Sequence, residues 1–206
     1  MKQVTGKTNP SVTIKGMSIQ LKRSGHSFSV DTLGSVDALP ASESVRFVVL
    51  THKTLLIPRE EFDAALAADY LRLAGVACLA TETPVWSDPN EPVVAVMAAD
   101  TTCVETLRGR YGDRAQFTTP LLEASNDDMP SVWLYRVDEL LYIKVYDRTL
   151  RFAEVASAPT EADVIYYIEQ LGKEFALSTF VAHITGEESK KTMKMIRSYF
   201  KQIQCE

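Results

Sequence analysis

The clearest pattern of apolar and polar residues lies in the last third of the chain, over residues 131–155. Apolar and polar side chains alternate there in three successive runs, and short polar turns at Asp138-Glu139 and Asp147-Arg148 separate the runs. Alternation with a period of two residues is typical of β-strands. The pattern therefore predicts a meander of three strands joined by tight turns.

After this meander the period changes to that of a helix. Thr160 is placed to cap a helix, and Asp163, three residues on, makes a close variant of the capping box. The apolar face of the predicted helix consists of Val164, Ile168, Leu171 and Phe175. A strand over residues 179–185, ended by Gly186, and a last helix over residues 190–202 complete the predicted order.

The first half repeats this order in a looser form. A hairpin is predicted from the alternation in Met17–Leu21 and Phe28–Val30, which flank a turn containing Gly25. Strands are predicted over residues 45–50 and 54–57, because both are rich in β-branched and other apolar residues. These strands extend the sheet of the first half.

A helix is predicted to begin at Pro58 and to end at Gly75, with Phe62, Leu66, Tyr70 and Leu73 on its apolar face. Three prolines in residues 83–92 predict a loop. The apolar run over residues 93–98 predicts a strand buried on both faces. Asp100 then caps a helix that extends to about Tyr111.

Strands followed by alternating helices and strands predict an α/β fold with mixed sheets covered by helices. Because the order occurs twice, we predict two similar lobes. The predicted boundaries are a flexible lead-in over residues 1–11, a first lobe over 12–122, a linker over 123–130 and a second lobe over 131–206.

Composition narrows the class of protein. The chain has 206 residues, of which 46% are hydrophobic and 24% are charged, as in ordinary globular proteins. A net charge of -5 argues against nucleic acid as a partner, since nucleic-acid binding depends on Lys and Arg. The polar N-terminus predicts no signal peptide, and the longest apolar run, 93–99, predicts no membrane insertion. We expect a cytoplasmic protein.

Three segments together resemble a known family. Residues 17–30 (MSIQLKRSGHSFSV), residues 119–122 (TPLL) and residues 134–167, with the stretch TEADVIYYI, are similar to a family of uncharacterised bacterial proteins. Members of that family have an actin-like ATPase fold, which is ribonuclease H-like. The resemblance runs from about residue 12 over nearly the whole chain. Family members extend further at the C-terminus, so the resemblance implies that the second lobe is shortened here.

The resemblance also implies where a nucleotide would bind. Active actin-like ATPases hold phosphates in two hairpin turns that carry glycines and an Asp for the metal. The first turn here, residues 22–26, has Gly25 and no Asp, and the second, residues 136–140, has Asp138 and Glu139 and no glycine. The adenosine-binding turn, residues 184–188, has one glycine, Gly186, and two carboxylates that would repel phosphate. These departures argue against ATP hydrolysis.

Other candidate chemistries are weaker. Gly6-Lys7-Thr8 lacks the earlier glycine and the strand of a phosphate-binding loop. The three histidines and three cysteines have no metal-ligand spacing, so no metal site is predicted. The last predicted helix carries Lys190, Lys194, Arg197 and Lys201 opposite its apolar stripe. Such a row is either an ordinary solvated face or a surface for an anionic partner.

Two functions are consistent with these residues. The first is a non-catalytic actin-like module without a cofactor, which acts through contacts with a protein partner. The alternative is a nucleotide-binding switch or ATPase of the actin-like superfamily with atypical loops. In that case Asp138 or Glu139 would hold the metal, and Gly25 and Gly186 would allow the nucleotide to approach closely.

Overall fold

The computed structural model describes residues 44–123, 129–186 and 188–205, and the backbone of residues 18–22. The α-helices of this part are α1 (Ala67–Leu73), α2 (Thr101–Tyr111), α3 (Glu161–Glu174) and α4 (Ser189–Ile196). The strands are β1 (Ser18–Lys22), β2 (Val45–Leu50), β3 (Thr54–Pro58), β4 (Glu82–Trp86), β5 (Val93–Asp100), β6 (Ala115–Thr118), β7 (Ser131–Val137), β8 (Leu140–Asp147), β9 (Thr149–Ser157), β10 (Val181–Gly186) and β11 (Gln202–Cys205).

The second half forms one five-stranded mixed sheet with the strand order β11-β10-β7-β8-β9. The strands β7, β8 and β9 are antiparallel neighbours, as the alternation over residues 131–155 predicts. Their tight turns place Asp138 and Arg148 in the left-handed region, with φ of 51° and 63°. β10 runs parallel to β7, and β11 runs parallel to β10. Helices follow β9 and β10 because parallel neighbours need crossover connections.

Helices α3 and α4 contribute to the main core of the second half. Val164, Ile168 and Leu171 of α3 are buried, as the helical spacing predicts. The predicted cap at Thr160 is confirmed: its hydroxyl accepts a hydrogen bond from the Asp163 N–H, and the Asp163 carboxylate accepts one from the Thr160 N–H. The two hydrogen bonds complete the capping box and fix where α3 begins.

The prediction of a single last helix over residues 190–202 is wrong. Helix α4 ends at Ile196, and the chain turns before it forms β11. Ile203 lies in this strand and is half-buried against the core. Short segments with apolar residues can fit either period, and here the free edge of β10 gave Gln202–Cys205 a hydrogen-bonding partner. The expected shortening of the second lobe stays a prediction.

The first half contains two three-stranded sheets, β1-β2-β6 and β3-β5-β4. β1 and β6 both run parallel to β2, whereas β3 and β4 are antiparallel to β5. The predicted duplication has a counterpart in this topology. In the first half β1, β2 and β6 are parallel neighbours in that order, as β7, β10 and β11 are in the second half.

The helix predicted to begin at Pro58 begins later. Pro58 is the last residue of β3, and the Asp63 carboxylate accepts a hydrogen bond from the Ala65 N–H to start a helical turn that leads into α1. Ala67 and Leu71 are the buried residues of α1, whereas Leu73 is 76% exposed. Asp63 is the stronger start signal, because its side chain satisfies a free backbone N–H.

The end of α1 confirms the predicted stop at Gly75. Gly75 has φ of 76°, its N–H donates to the Arg72 carbonyl, and the Val76 N–H donates to the Leu71 carbonyl. This pair of hydrogen bonds is the Schellman motif, in which a residue with positive φ follows the helix. The local sequence therefore fixes this terminus.

The loop predicted over residues 83–92 is partly wrong, since its first residues belong to β4. Pro84 is compatible with a strand there because β4 is an edge strand, where a missing N–H interrupts no central ladder. The strand predicted from residues 93–98 is confirmed as the central β5, with Val94–Ala99 buried. The Asp100 cap is also confirmed, with its carboxylate 2.8 Å from the Cys103 N.

The predicted lobe boundaries stay predictions. Residues 1–11 and 124–128, part of the predicted linker, lie outside the described residues, as does the turn that contains Gly25. Of the hairpin predicted around that turn, the first strand is β1, and the second lies outside the described residues.

Candidate functional site

One end of the five-stranded sheet brings together three of the four residues proposed for nucleotide binding. Asp138 and Glu139 form the turn between β7 and β8, and Gly186 is the last residue of β10. Because β7 and β10 are parallel and Gly186 is paired with Arg136, their carboxyl ends lie side by side. Gly25, the fourth residue, lies outside the described residues.

The backbone packing around Gly186 explains why the position is a glycine. Gly186 has φ of 88°, in the left-handed region that side chains disfavour. A Cβ at this position would lie 2.2 Å from the Arg136 carbonyl oxygen and 3.0 Å from the ring of Tyr135. The missing side chain is therefore required by close contact between β10 and β7, without any ligand.

Arg136 is a buried charge that the sequence analysis did not single out. Its side chain is 7% exposed, and its Nη1 lies 2.9 Å from Glu188 Oε2, at the start of α4. Lys191 Nζ lies 2.6 Å from Glu161 and 3.5 Å from Glu188. The Glu188 carboxylate, expected to repel phosphate, is instead shared between two cations. The sequence did contain a signal for this burial: Arg136 follows Val132 and Leu134 at the two-residue spacing of a strand, so it lies on the same buried face of β7.

The face of the sheet opposite α3 and α4 packs against the first half. Six side chains from both halves form an apolar cluster, which we call the inter-half cluster, and each is at most 8% exposed. They are Val48, Leu50, Leu121, Val137, Tyr142 and Val155. Burial raises the pKa of the Tyr142 hydroxyl above its ordinary value. Apolar side chains from both halves thus pack against each other at this contact.

The same sheet face continues into a stack of three polar or aromatic side chains. Lys144 Nζ donates a hydrogen bond of 2.6 Å to the Glu123 carbonyl and lies 5.7 Å from the centre of the Trp133 ring. The Trp133 and His183 rings stack with centroids 4.1 Å apart and planes 7° apart. Burial lowers the pKa of Lys144 to about 8, and the Glu123 carboxylate opposes that shift by a smaller amount.

This pKa predicts a specific pH dependence for the variant Lys144→Met. Between pH 8 and the ordinary lysine value of 10.5, the unfolded chain holds a proton at Lys144 that the folded chain has lost, so stability rises with pH. The parent should therefore gain about 3 kcal/mol of unfolding free energy relative to Lys144→Met between pH 7 and pH 11. Urea unfolding of both proteins across this range measures the difference.

Lys190→Met is the matched control, because Lys190 is exposed on α4. The difference in unfolding free energy between that variant and the parent gives the baseline for removing an exposed lysine. If the difference for Lys144→Met followed this baseline across the pH range, burial would not be lowering the affinity of Lys144 for its proton.

The described residues contain no group of three or more His, Cys, Asp or Glu side chains placed to hold a metal ion. Asp138 and Glu139, proposed as metal ligands, therefore lack a third such side chain within the described part of the chain. Among the helices of that part, none has the length and apolar character needed to cross a bilayer. Cys78 and Cys103 are free thiols, and each is half-buried.

Comparison with solved structures identifies the fold. A protein from Bacteroides thetaiotaomicron VPI-5482 with an actin-like ATPase fold and unknown function superposes with a TM-score of 0.67 and 17% sequence identity. The superposition covers 79% of this chain and 68% of that one. The chain has an actin-like ATPase fold. The resemblance found from residues 17–30, 119–122 and 134–167 is confirmed for the fold.

A second solved structure is more distant. The cytoplasmic domain of EpsL, an inner membrane component of the type II secretion system of Vibrio cholerae, superposes with a TM-score of 0.44 and 6% identity. That alignment covers 83% of this chain and 81% of the other, and we base no argument on it. No protein-family profile matches the chain, and no curated protein sequence matches it.

Proposed function

We propose that this chain is a non-catalytic actin-like module, a pseudo-ATPase, that acts through contacts with a partner protein. The inter-half cluster carries the proposal. An actin-like ATPase needs polar groups facing a nucleotide between its lobes, and here buried apolar side chains from both halves contact each other. Where this cluster lies, the face stabilises the fold and presents no charged group to a phosphate.

The end of the sheet supports the same conclusion. Gly186 is required by contact with the Arg136 carbonyl, and the Arg136 guanidinium is paired with Glu188. The turn at Asp138-Glu139 has no glycine whose N–H could approach a phosphate closely. Among the described residues, those that would serve a nucleotide at this end of the sheet are thus used by the fold or are of the wrong type.

Titration with ATP and magnesium tests the proposal. We expect no binding heat and no shift in melting temperature with 1 mM nucleotide. Binding with a Kd of about 10 μM would stabilise the protein by about 2.7 kcal/mol at that concentration, a shift of several degrees. Magnesium without nucleotide is the control. Tight binding accompanied by phosphate release would overturn the proposal.

The alternative function, a nucleotide-binding switch, is favoured by one observation. Asp138, Glu139 and Gly186 lie at the same end of the sheet, as they would in such a site. If ATP binds, the double variant Asp138→Ala/Glu139→Ala should remove its dependence on magnesium. Asp147→Ala is the matched control, because Asp147 ends β8 at the opposite end of the sheet. Equal loss in both variants would reject the assigned roles.

A further inference from the structure

The outer face of α1 is apolar although it is exposed. In the described part of the chain five large apolar side chains are exposed, and three of them lie in or near this helix: Leu66 at 44%, Leu73 at 76% and Leu79 at 53%. Leu66 immediately precedes α1, Leu73 ends it, and Leu79 follows it before β4. An exposed apolar surface of this kind is typical of a contact with another protein. Exposed alanines near these leucines in the chain are Ala64, Ala65, Ala68 and Ala74.

Leu66 and Leu73 lie on one side of the helix. They are seven residues apart, which is two helical turns, or about 10 Å along the axis. Ala67 and Leu71 lie on the inner side of α1 and are buried in the cluster that β3 and β5 form. The inner side of α1 therefore holds the helix in place, and the two leucines are left on its outer face.

The charges of α1 indicate what covers this face. Asp69 and Arg72 are the only charged side chains of α1. They are 51% and 64% exposed, and Asp69 Oδ1 lies 2.9 Å from Arg72 Nη2. Because the helix carries one charge of each sign, a purely basic or purely acidic partner would match only one of them. A second α1 that runs antiparallel matches both, and the dipoles of antiparallel helices also attract each other.

The leucines match in the same antiparallel arrangement. If the twofold axis passes between Asp69 and Tyr70, Leu66 and Leu73 lie equally far from it on opposite sides. Leu66 of each copy then meets Leu73 of the other. Asp69 lies two residues, about 3 Å, out of step with Arg72 of the other copy, an offset that a long arginine side chain covers. A contact in which both copies use the same surface is isologous and closes as a dimer.

We propose that two copies of this chain associate through the outer faces of their α1 helices, packed antiparallel. Leu66 of each copy packs against Leu73 of the other. Asp69 of each copy pairs with Arg72 of the other. Because α1 is short and interfaces below about 1,200 Å² are weak, the dimer dissociates at about 0.1 mM. This association goes beyond the proposed function, and the outcome of nucleotide titration does not affect it.

Sedimentation velocity of the full chain, from about 10 μM to about 1 mM, tests the association. We expect the sedimentation coefficient to rise with concentration from that of a monomer towards that of a dimer. Leu73→Lys should raise the dissociation constant at least tenfold, because it places an ammonium group against Leu66 of the other copy. The variant should fold, since a cation suits the C-terminus of a helix. Tyr166→Lys is the matched control, because Tyr166 is 54% exposed on α3, and its dissociation constant should change less than twofold.

Exchange of the two charges tests the orientation. Asp69→Arg and Arg72→Asp each leave two like charges on α1, so each variant alone should dimerise about fivefold more weakly than the parent. An equimolar mixture of the two variants should recover the association, because two arginines on one copy then face two aspartates on the other. Loss of the ion pair within one helix would not produce this recovery.

Three results would overturn the proposal. The first is a single species of monomer mass up to about 1 mM, which would leave the face to a different protein. The second is an association that Leu73→Lys leaves unchanged, or one that grows beyond a dimer, because an isologous contact closes. The third is a mixture of Asp69→Arg and Arg72→Asp that associates no more strongly than either variant alone.

Discussion

Gly186→Ala is expected to lower the free energy of unfolding by about 3–5 kcal/mol. The new Cβ would lie 2.2 Å from the Arg136 carbonyl oxygen, which the ladder between β7 and β10 holds in place. It would also occupy φ of 88°, which an alanine adopts only with strain. Because backbone cannot move aside as a flexible side chain can, the two strands must separate. Urea unfolding followed by circular dichroism measures the loss.

Two other glycines provide matched controls. Gly75 has φ of 76°, but no atom lies within 4 Å of its Cβ position, so Gly75→Ala should cost only about 1 kcal/mol of strain. Gly109 lies within α2 with nothing near its Cβ position, so Gly109→Ala should stabilise the protein by up to about 1 kcal/mol. The loss of unfolding free energy should fall in the order Gly186, Gly75, Gly109. The first step of this order measures the steric clash, and the second separates backbone strain from helix propensity.

The outcome bears on function as well as on stability. If the absent side chain at Gly186 served only a nucleotide, Gly186→Ala would cost the free protein no more than the strain of a positive φ, about 1 kcal/mol. A loss of several kcal/mol in the absence of any ligand would assign the glycine to the contact with Arg136. A loss no larger than that of Gly75→Ala would contradict the packing argument.

Local signals in the sequence predicted the elements whose ends are fixed by nearby residues. The Thr160 capping box, the Asp100 cap and the stop at Gly75 each depend on hydrogen bonds within about five residues. The meander over residues 131–155 was predicted for the same reason, since its turns join adjacent strands. The predicted order of strands and helices also indicated that Asp138, Glu139 and Gly186, the residues proposed for nucleotide binding, lie at the same end of the sheet.

Long-range contacts decided the rest. Gln202–Cys205 became a strand because β10 offered a free edge, and this edge is formed by residues about 20 positions earlier. Pro84 lies in a strand because β4 is at the edge of its sheet, which sequence order does not reveal. The partner of Arg136 is Glu188, 52 residues away. The inter-half cluster likewise combines residues from both halves, so alternation in β7 could not predict burial on both faces.

Breaking the ion pair between Lys53 and Glu82 is the second change with a large expected effect. Lys53 Nζ lies 2.5 Å from Glu82 Oε2, and the two side chains are only 8% and 10% exposed. Nζ also donates to the Ala77 carbonyl, and the Leu79 N–H donates to the Glu82 carboxylate. The pair therefore joins the start of β3 and the start of β4 to the segment between them.

Lys53→Met should lower the free energy of unfolding by about 3–5 kcal/mol, because it leaves a buried carboxylate without its cation. Glu82→Leu should cost a similar amount, because it leaves a buried ammonium. The double variant Lys53→Met/Glu82→Leu should be more stable than either single variant, since apolar side chains can replace a buried pair at little cost. Urea unfolding of the parent, the two single variants and the double variant measures all four free energies of this double-mutant cycle.

Arg72→Ala is the matched control for these substitutions. Arg72 lies 2.9 Å from Asp69, but the two side chains are 64% and 51% exposed, so its loss should cost less than about 0.5 kcal/mol. Equal costs at the buried and exposed pairs, or a double variant less stable than both single ones, would contradict the role of burial.

Cys78 provides a second measurement that separates charge from general loss of structure. Burial raises the pKa of the Cys78 thiol, the Glu82 carboxylate raises it further, and the Lys53 ammonium lowers it. Lys53→Met should therefore slow alkylation of Cys78, because the thiolate is the reactive form, and Glu82→Leu should accelerate it. Loosening of the fold alone would accelerate alkylation of Cys78 in both variants. Slower alkylation in Lys53→Met would therefore identify the electrostatic effect. Mass spectrometry of the peptide that contains Cys78 measures the rate of alkylation.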